Sequence, residues 1–123
     1  MSKTILVVED QEDNRQILRD LLGAHGFTMR EAGDGEAALA DVAKQRPDLI
    51  LMDIQLPVLD GYETTRRLKA NPDTKGIPII VVTSYALSGD ETKARASGCD
   101  AYVTKPYSPR ALLAKIKEFL PAV

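Results

Sequence analysis

Three short runs constrain this chain more than anything else in it. Ile5-Leu6-Val7-Val8, Leu49-Ile50-Leu51-Met52 and Ile79-Ile80-Val81-Val82 are apolar at every position, and the first and third are rich in β-branched residues. A strand with one face in water alternates apolar with polar. A continuous apolar run suits a strand buried on both faces, as in a parallel sheet covered by helices. Periodicity alone does not exclude buried helix. Two further segments do alternate, Phe27-Thr28-Met29-Arg30 and Ala101-Tyr102-Val103-Thr104. Their half-buried pattern suits the edges of the same sheet.

Helical signals fill the gaps. Ile17, Leu18, Leu21 and Leu22 stand at helical spacing, with Gly26 as a stop signal. Asp34 is placed to cap a helix carrying Leu39, Val42 and Ala43, which ends before Pro47. A third helix is expected from about Asp60 to Asn71-Pro72. The fourth, Gly89 to Ser97, has only Ala94 and Ala96 as apolar content, so packing should hold it least firmly. The fifth has Ser108 as N-cap, Pro109 at the first helical position, then Leu112, Leu113, Ile116, Phe119 and Leu120. Five βα units in series predict an α/β fold, a doubly wound five-stranded parallel sheet in the flavodoxin-like order 2-1-3-4-5. The units fill residues 1–123 as one domain, the number that 123 residues predict.

Composition narrows the chemistry. Sixteen Lys and Arg stand against eighteen Asp and Glu, a net charge of -2, so there is no basic footprint for nucleic acid. One Cys (Cys99) and one His (His25) make neither an internal disulfide nor a Cys/His zinc site. No apolar run approaches the roughly 18 residues of a membrane span. The first residues lead straight into a strand, unlike a signal peptide. A cytoplasmic protein is expected. His25 reads as a surface residue and Cys99 as a half-buried thiol. Any chemistry is left to carboxylates, hydroxyls and lysine.

In open α/β sheets, ligands bind beyond the carboxyl ends of the strands, at the point where strand order reverses. Strand one ends there in Glu9-Asp10, strand three in Asp53, strand four in Thr83-Ser84 and strand five in Thr104-Lys105-Pro106. Three carboxylates brought together repel one another, and a cation relieves that repulsion. An all-oxygen donor set without His or thiolate points to a hard divalent ion, Mg²⁺ above others. A phosphoryl group on one carboxylate would give Lys105 an anionic partner and Thr83 an acceptor. Its added charge of about -2 would draw both inward. Helix four follows Thr83 directly, so the surface of helix four, strand five and helix five is where a change of state is expected.

The motifs Val8-Glu9-Asp10, Leu51-Met52-Asp53-Ile54-Gln55-Leu56-Pro57 with Asp60-Gly61, Val82-Thr83-Ser84 and Tyr102-Val103-Thr104-Lys105-Pro106, in this order, resemble the receiver domains of two-component response regulators (the CheY-like superfamily). The resemblance spans the chain. Gly89-Asp90-Glu91, Gly98-Cys99 and the Asp53 motif are similar to those of stand-alone receivers of the DivK type. The resemblance implies that Asp53 is the phosphoacceptor and takes its phosphoryl group from a phosphohistidine. It implies that Mg²⁺ is held by Glu9 (directly or through water), Asp10, Asp53 and the Gln55 carbonyl. Thr83 and Lys105 would bind the phosphoryl group, Thr83 and Tyr102 would form the switch, and Pro106 would follow a cis peptide bond. Asn14, Arg15, Leu18 and Tyr107 would face the kinase.

The partners so implied are a sensor histidine kinase or phosphotransfer protein and a downstream protein, without nucleic acid or membrane. The protein would be a monomer or a phosphorylation-dependent dimer, either standing alone or as the receiver of a larger protein. It would be a signalling switch rather than an enzyme, assisting its own phosphotransfer and a slow self-dephosphorylation. Two alternatives remain open at this level. One is a Mg²⁺-dependent phosphatase forming an aspartyl-phosphate, which often has a second Asp where Gln55 stands. The other is a phosphorylation-independent binding module on the same fold.

Overall fold

A computed structural model describes residues 3–83, 88–105 and 107–120, with backbone only for 83 and 88–91. Ten elements alternate: β1 (Thr4–Val8), α1 (Glu12–Ala24), β2 (Thr28–Ala32), α2 (Gly35–Lys44), β3 (Leu49–Asp53), α3 (Gly61–Ala70), β4 (Ile79–Thr83), α4 (Ser88–Ala96), β5 (Ala101–Thr104) and α5 (Pro109–Phe119). All strand pairs are parallel and the sheet order is β2-β1-β3-β4-β5. The fold is the expected one.

The apolar runs behave as their composition dictates. Successive side chains of a strand point to opposite faces, so each run supplies two cores. Leu6, Val8, Ile50, Met52, Ile79 and Val81 face Ala38 and Val42 of α2, Leu68 of α3 and Ala94 of α4. Ile5, Val7, Leu49, Leu51 and Ile80 face Leu18 and Leu22 of α1 and Leu112 and Ile116 of α5. The edge strands β2 and β5 are only partly covered. Strand β2 begins one residue after Phe27 and runs on to Ala32, because its partner β1 offers backbone from Thr4 to Val8. Phe27 is buried just ahead of it.

Helix starts follow the capping signals. The carboxylates of Asp34 and Asp60 accept from the N–H groups of Ala37 and Glu63, and the Ser108 hydroxyl accepts from Ala111 N–H. Helix α1 has no side-chain cap; Glu12 and Asp13 in its first turn offset the helix dipole instead. Among the described side chains of α4, Ala94 is buried in the core and Ala96 is exposed.

The α1 stripe differs from expectation in one respect. Leu18 and Leu22 point at the sheet, one turn apart, and Leu21 is half-buried, but Ile17 is 56% exposed. The four-residue cluster is wider than the face that α1 can bury.

Candidate functional site

Register brings the site together. Val8 pairs with Met52, and Asp53 pairs with Val82, so Glu9-Asp10 and Asp53 leave adjacent strands at the same edge. Thr83 pairs with Thr104, which puts Lys105 one residue beyond that edge. Ligating oxygens of Glu9, Asp10 and Asp53 lie within 4.8 Å of one another. Glu9 and Asp53 are buried, while Asp10 is exposed at the mouth. Asn14, Gln11 and Gln55 complete the rim of a cleft over Asp10, Asp53 and Lys105.

The electrostatics are those of crowded carboxylates. Lys105 Nζ lies 3.3 Å from Glu9 Oε1 and 3.7 Å from Asp53 Oδ2. One ammonium does not balance two buried carboxylates. Burial, then the hydrogen bond and charge of Glu9, push the Asp53 carboxyl up to about 7, against the pull of Lys105 and the Gln55 backbone N–H. Burial also disfavours charge on Glu9, but the bond with Asp53 and the Lys105 ammonium outweigh it and hold Glu9 below the usual range. Without a further cation, burial and the crowding of the two carboxylates favour one shared proton below about pH 7.

Asp53 Oδ1 is buried and has no hydrogen-bond partner among the described residues. An unpartnered buried carboxylate oxygen is costly. Its presence beside two other carboxylates, with oxygen as the only donor type, fits a small hard cation such as Mg²⁺.

The remaining expected residues divide. Tyr102 is half-buried on β5, against the cluster that includes Ala94 of α4. Tyr107 is also half-buried. Its ring lines a small cavity with Glu9, Asp53, Lys105, Leu18 and Leu112, and burial followed by the Glu9 and Asp53 charges raises its hydroxyl pKa. Asn14 is half-buried at the cleft rim. Leu18 is 6% exposed and packed under the site. The large apolar side chain that α1 exposes is Ile17. Arg15 is turned inward to the Glu9 carbonyl, to Glu12 and to Glu31. The Thr83 side chain and Pro106, with its expected cis bond, lie outside the described residues.

Two supporting residues carry weaker sequence signals. A Cβ on Gly61 would sit 2.1 Å from the Asp53 carbonyl oxygen, so the start of α3 is built against the Asp53 backbone. Val58 holds φ at +68°, and Leu59 N–H donates to Pro57 O at 2.7 Å across it. Gly61 stood within a recognised motif, whereas nothing in the sequence marks Val58 as left-handed.

Residues 5–117 match the model of the response regulator receiver domain. With the parallel 2-1-3-4-5 sheet and the acidic cleft at its carboxyl edge, the chain belongs to that family: a phosphorylation-regulated switch of two-component signalling, not an enzyme in the ordinary sense. Among individual proteins, it is 43% identical to the polar-differentiation response regulator DivK of Brucella anthropi, over 98% of both chains. The receiver domain of a sensor histidine kinase from Pseudomonas aeruginosa PAO1, solved with a magnesium ion coordinated in its active-site cleft, is 34% identical. It superposes with a TM-score of 0.91 over 99% of this chain and 100% of that one. The chemotaxis protein CheY4 of Vibrio cholerae is 28% identical, with a TM-score of 0.89 over 97% and 99%. Among the described residues, no helix is long and apolar enough to cross a membrane.

Proposed function

We propose that Asp53 is the phosphoacceptor, and that residues 1–123 act as one receiver domain in the cytoplasm. The observation that carries this reading is the Asp53 carboxylate itself. It is buried at the end of β3, has one oxygen without a hydrogen-bond partner among the described residues, and is clustered with Glu9, Asp10 and Lys105.

Glu9, Asp10, Asp53 and the Gln55 carbonyl are the residues that would hold Mg²⁺. When bound, the ion neutralises charge on the carboxylates and on the transferring phosphoryl oxygens. Asp53 attacks phosphorus as its carboxylate. A P–O bond forms to Asp53, the P–N bond to the donor imidazole breaks, and the electron pair leaves with the imidazole nitrogen. Lys105 then pairs with a phosphoryl oxygen, and Thr83 donates to another. Water attacking the same phosphorus returns Asp53 and inorganic phosphate, a slow self-dephosphorylation.

Output follows from the charge added. Thr83 ends β4 and α4 begins five residues later, with Ala94 in the core. The α4 sequence offers little apolar surface beyond Ala94 and Ala96, and a helix of that kind is easily biased between two positions. Tyr102 on β5 borders it. The face formed by α4, β5 and α5 is therefore the surface read by a downstream protein, and a phosphorylation-dependent dimer would use it too. The donor is a sensor histidine kinase or a phosphotransfer protein, approaching at Asn14 on the cleft rim and at Tyr107 in the segment between β5 and α5.

Phosphotransfer from a radiolabelled, autophosphorylated histidine kinase tests the reading. Label should pass to the wild-type chain in Mg²⁺ and not in EDTA. Transfer that persists after chelation would contradict the assignment of the acidic cleft.

A further inference from the structure

Arg15 is held within the molecule more firmly than a contact residue needs to be. Its Nη1 donates to the Glu9 carbonyl oxygen at 2.7 Å, a strong charge-assisted bond. The rest of the guanidinium is anchored by Glu12, with Nη2 at 2.8 Å, and by Glu31 on β2, with Nε at 3.2 Å. On the other side, Glu9 N–H donates to Ala32 O at 3.0 Å. Both peptide planes flanking Glu9 are therefore fixed, one by strand β2 and one by Arg15. Among the described residues no strand donates to the carbonyl of Glu9, the first residue beyond β1, and Arg15 supplies that constraint. The Glu9 side chain leaves a rigid backbone aimed at Asp53 and Lys105.

We infer that Arg15 is a positioning residue for the metal cleft: through the Glu9 carbonyl it sets the placement of the Glu9 carboxylate and hence the affinity for Mg²⁺. This rests on the reading of the cleft given above. Groups that orient metal ligands commonly change affinity by about ten- to a hundredfold when removed.

The test titrates chelator-stripped wild type, Arg15→Ala, Arg15→Lys and Glu12→Gln with Mg²⁺ by calorimetry, and follows the Glu9 amide by hydrogen exchange. Arg15→Ala should bind about tenfold more weakly and exchange its Glu9 amide faster. Arg15→Lys, which keeps one cationic donor, should recover most of the loss. Glu12→Gln should stay within about twofold of wild type, because the bond to Glu9 remains. At saturating Mg²⁺, labelling of Arg15→Ala by acetyl phosphate should return to the wild-type extent. If Arg15→Ala does not fold, Arg15→Met, which keeps the aliphatic stem without a donor, takes its place with the same outcomes. Wild-type affinity in the Ala or Met variant, or an equal loss in Glu12→Gln, would overturn the inference. A wild-type chain that binds no Mg²⁺ would overturn the reading of the cleft, and the inference with it.

Discussion

Gly61 touches Asp53 so closely that a methyl group does not fit between them. A Cβ at Gly61 would lie 2.1 Å from the Asp53 carbonyl oxygen and 2.8 Å from Ile54 Cα, both of them backbone. Gly61→Ala must therefore push α3 away from the strand end that carries the site. The expected cost is about 2–3 kcal/mol in urea unfolding, with a lower extent of phosphorylation. Gly23 in α1 has open space around its would-be Cβ. Gly23→Ala should gain about 0.5–1 kcal/mol in the same assay and leave phosphorylation unchanged.

The shared proton of Glu9 and Asp53 makes the metal-free protein pH-sensitive. Asp53 rises from 3.8 to about 7 on folding. Its raised pKa favours the folded state at low pH, and that contribution is lost as pH rises from about 4 through 7. Glu9 is shifted the opposite way, so its contribution is present above its ordinary 4.5 and is lost only as pH falls through the lowered value. Chelator-treated protein should thus melt lower at pH 8 than at pH 5.5, and Mg²⁺ should raise the melting temperature more at pH 8. Asp53→Asn removes the buried charge and should be about 2–4 kcal/mol more stable than wild type at pH 8 without metal. Parallel melting curves for the two proteins across this range would contradict the shared-proton account.

At the opposite end of the sheet, Lys69 Nζ donates to the carbonyls of Lys75 and Ile77 and to Asp100 Oδ2 at 2.7 Å. The same Asp100 oxygen accepts from Ile79 N–H at 2.8 Å. This ties the end of α3 to the starts of β4 and β5. Lys69→Met and Asp100→Ala should each cost about 1–3 kcal/mol. The double variant should cost at least about 0.5 kcal/mol less than the sum, measured by a denaturant double-mutant cycle.

Val58 holds its left-handed backbone while 79% exposed, so its side chain contributes little packing. A β-branched residue is strained there, and Asn is tolerated. Val58→Asn should stabilise the chain by about 0.5–1 kcal/mol by thermal melting, without loss of Mg²⁺ binding.

These four relationships differ in how far the sequence announces them. The strands were legible because Ile5–Val8, Leu49–Met52 and Ile79–Val82 are buried on both faces and need no alternation to find. Helix starts at Asp34, Asp60 and Ser108 were legible because capping is local chemistry. The cleft was legible because strand order alone brings Glu9, Asp10, Asp53 and Lys105 to one edge. What escaped was set by orientation or by distance along the chain. Ile17 and Leu18 are adjacent apolar residues, and only the angle at which α1 meets the sheet decides which one is buried. Arg15 could be placed at the rim but not turned inward, because its partner is a backbone carbonyl. Lys69 and Asp100 are 31 residues apart and share no local pattern.

The central claim is that Asp53 accepts the phosphoryl group in a cleft that requires Mg²⁺. Intact-mass analysis after incubation with acetyl phosphate addresses it most directly. Wild type in Mg²⁺ should gain a single phosphoryl group, and neither wild type in EDTA nor Asp53→Asn in Mg²⁺ should gain one. A wild-type chain that gains none, or an undiminished adduct in Asp53→Asn, would contradict the account.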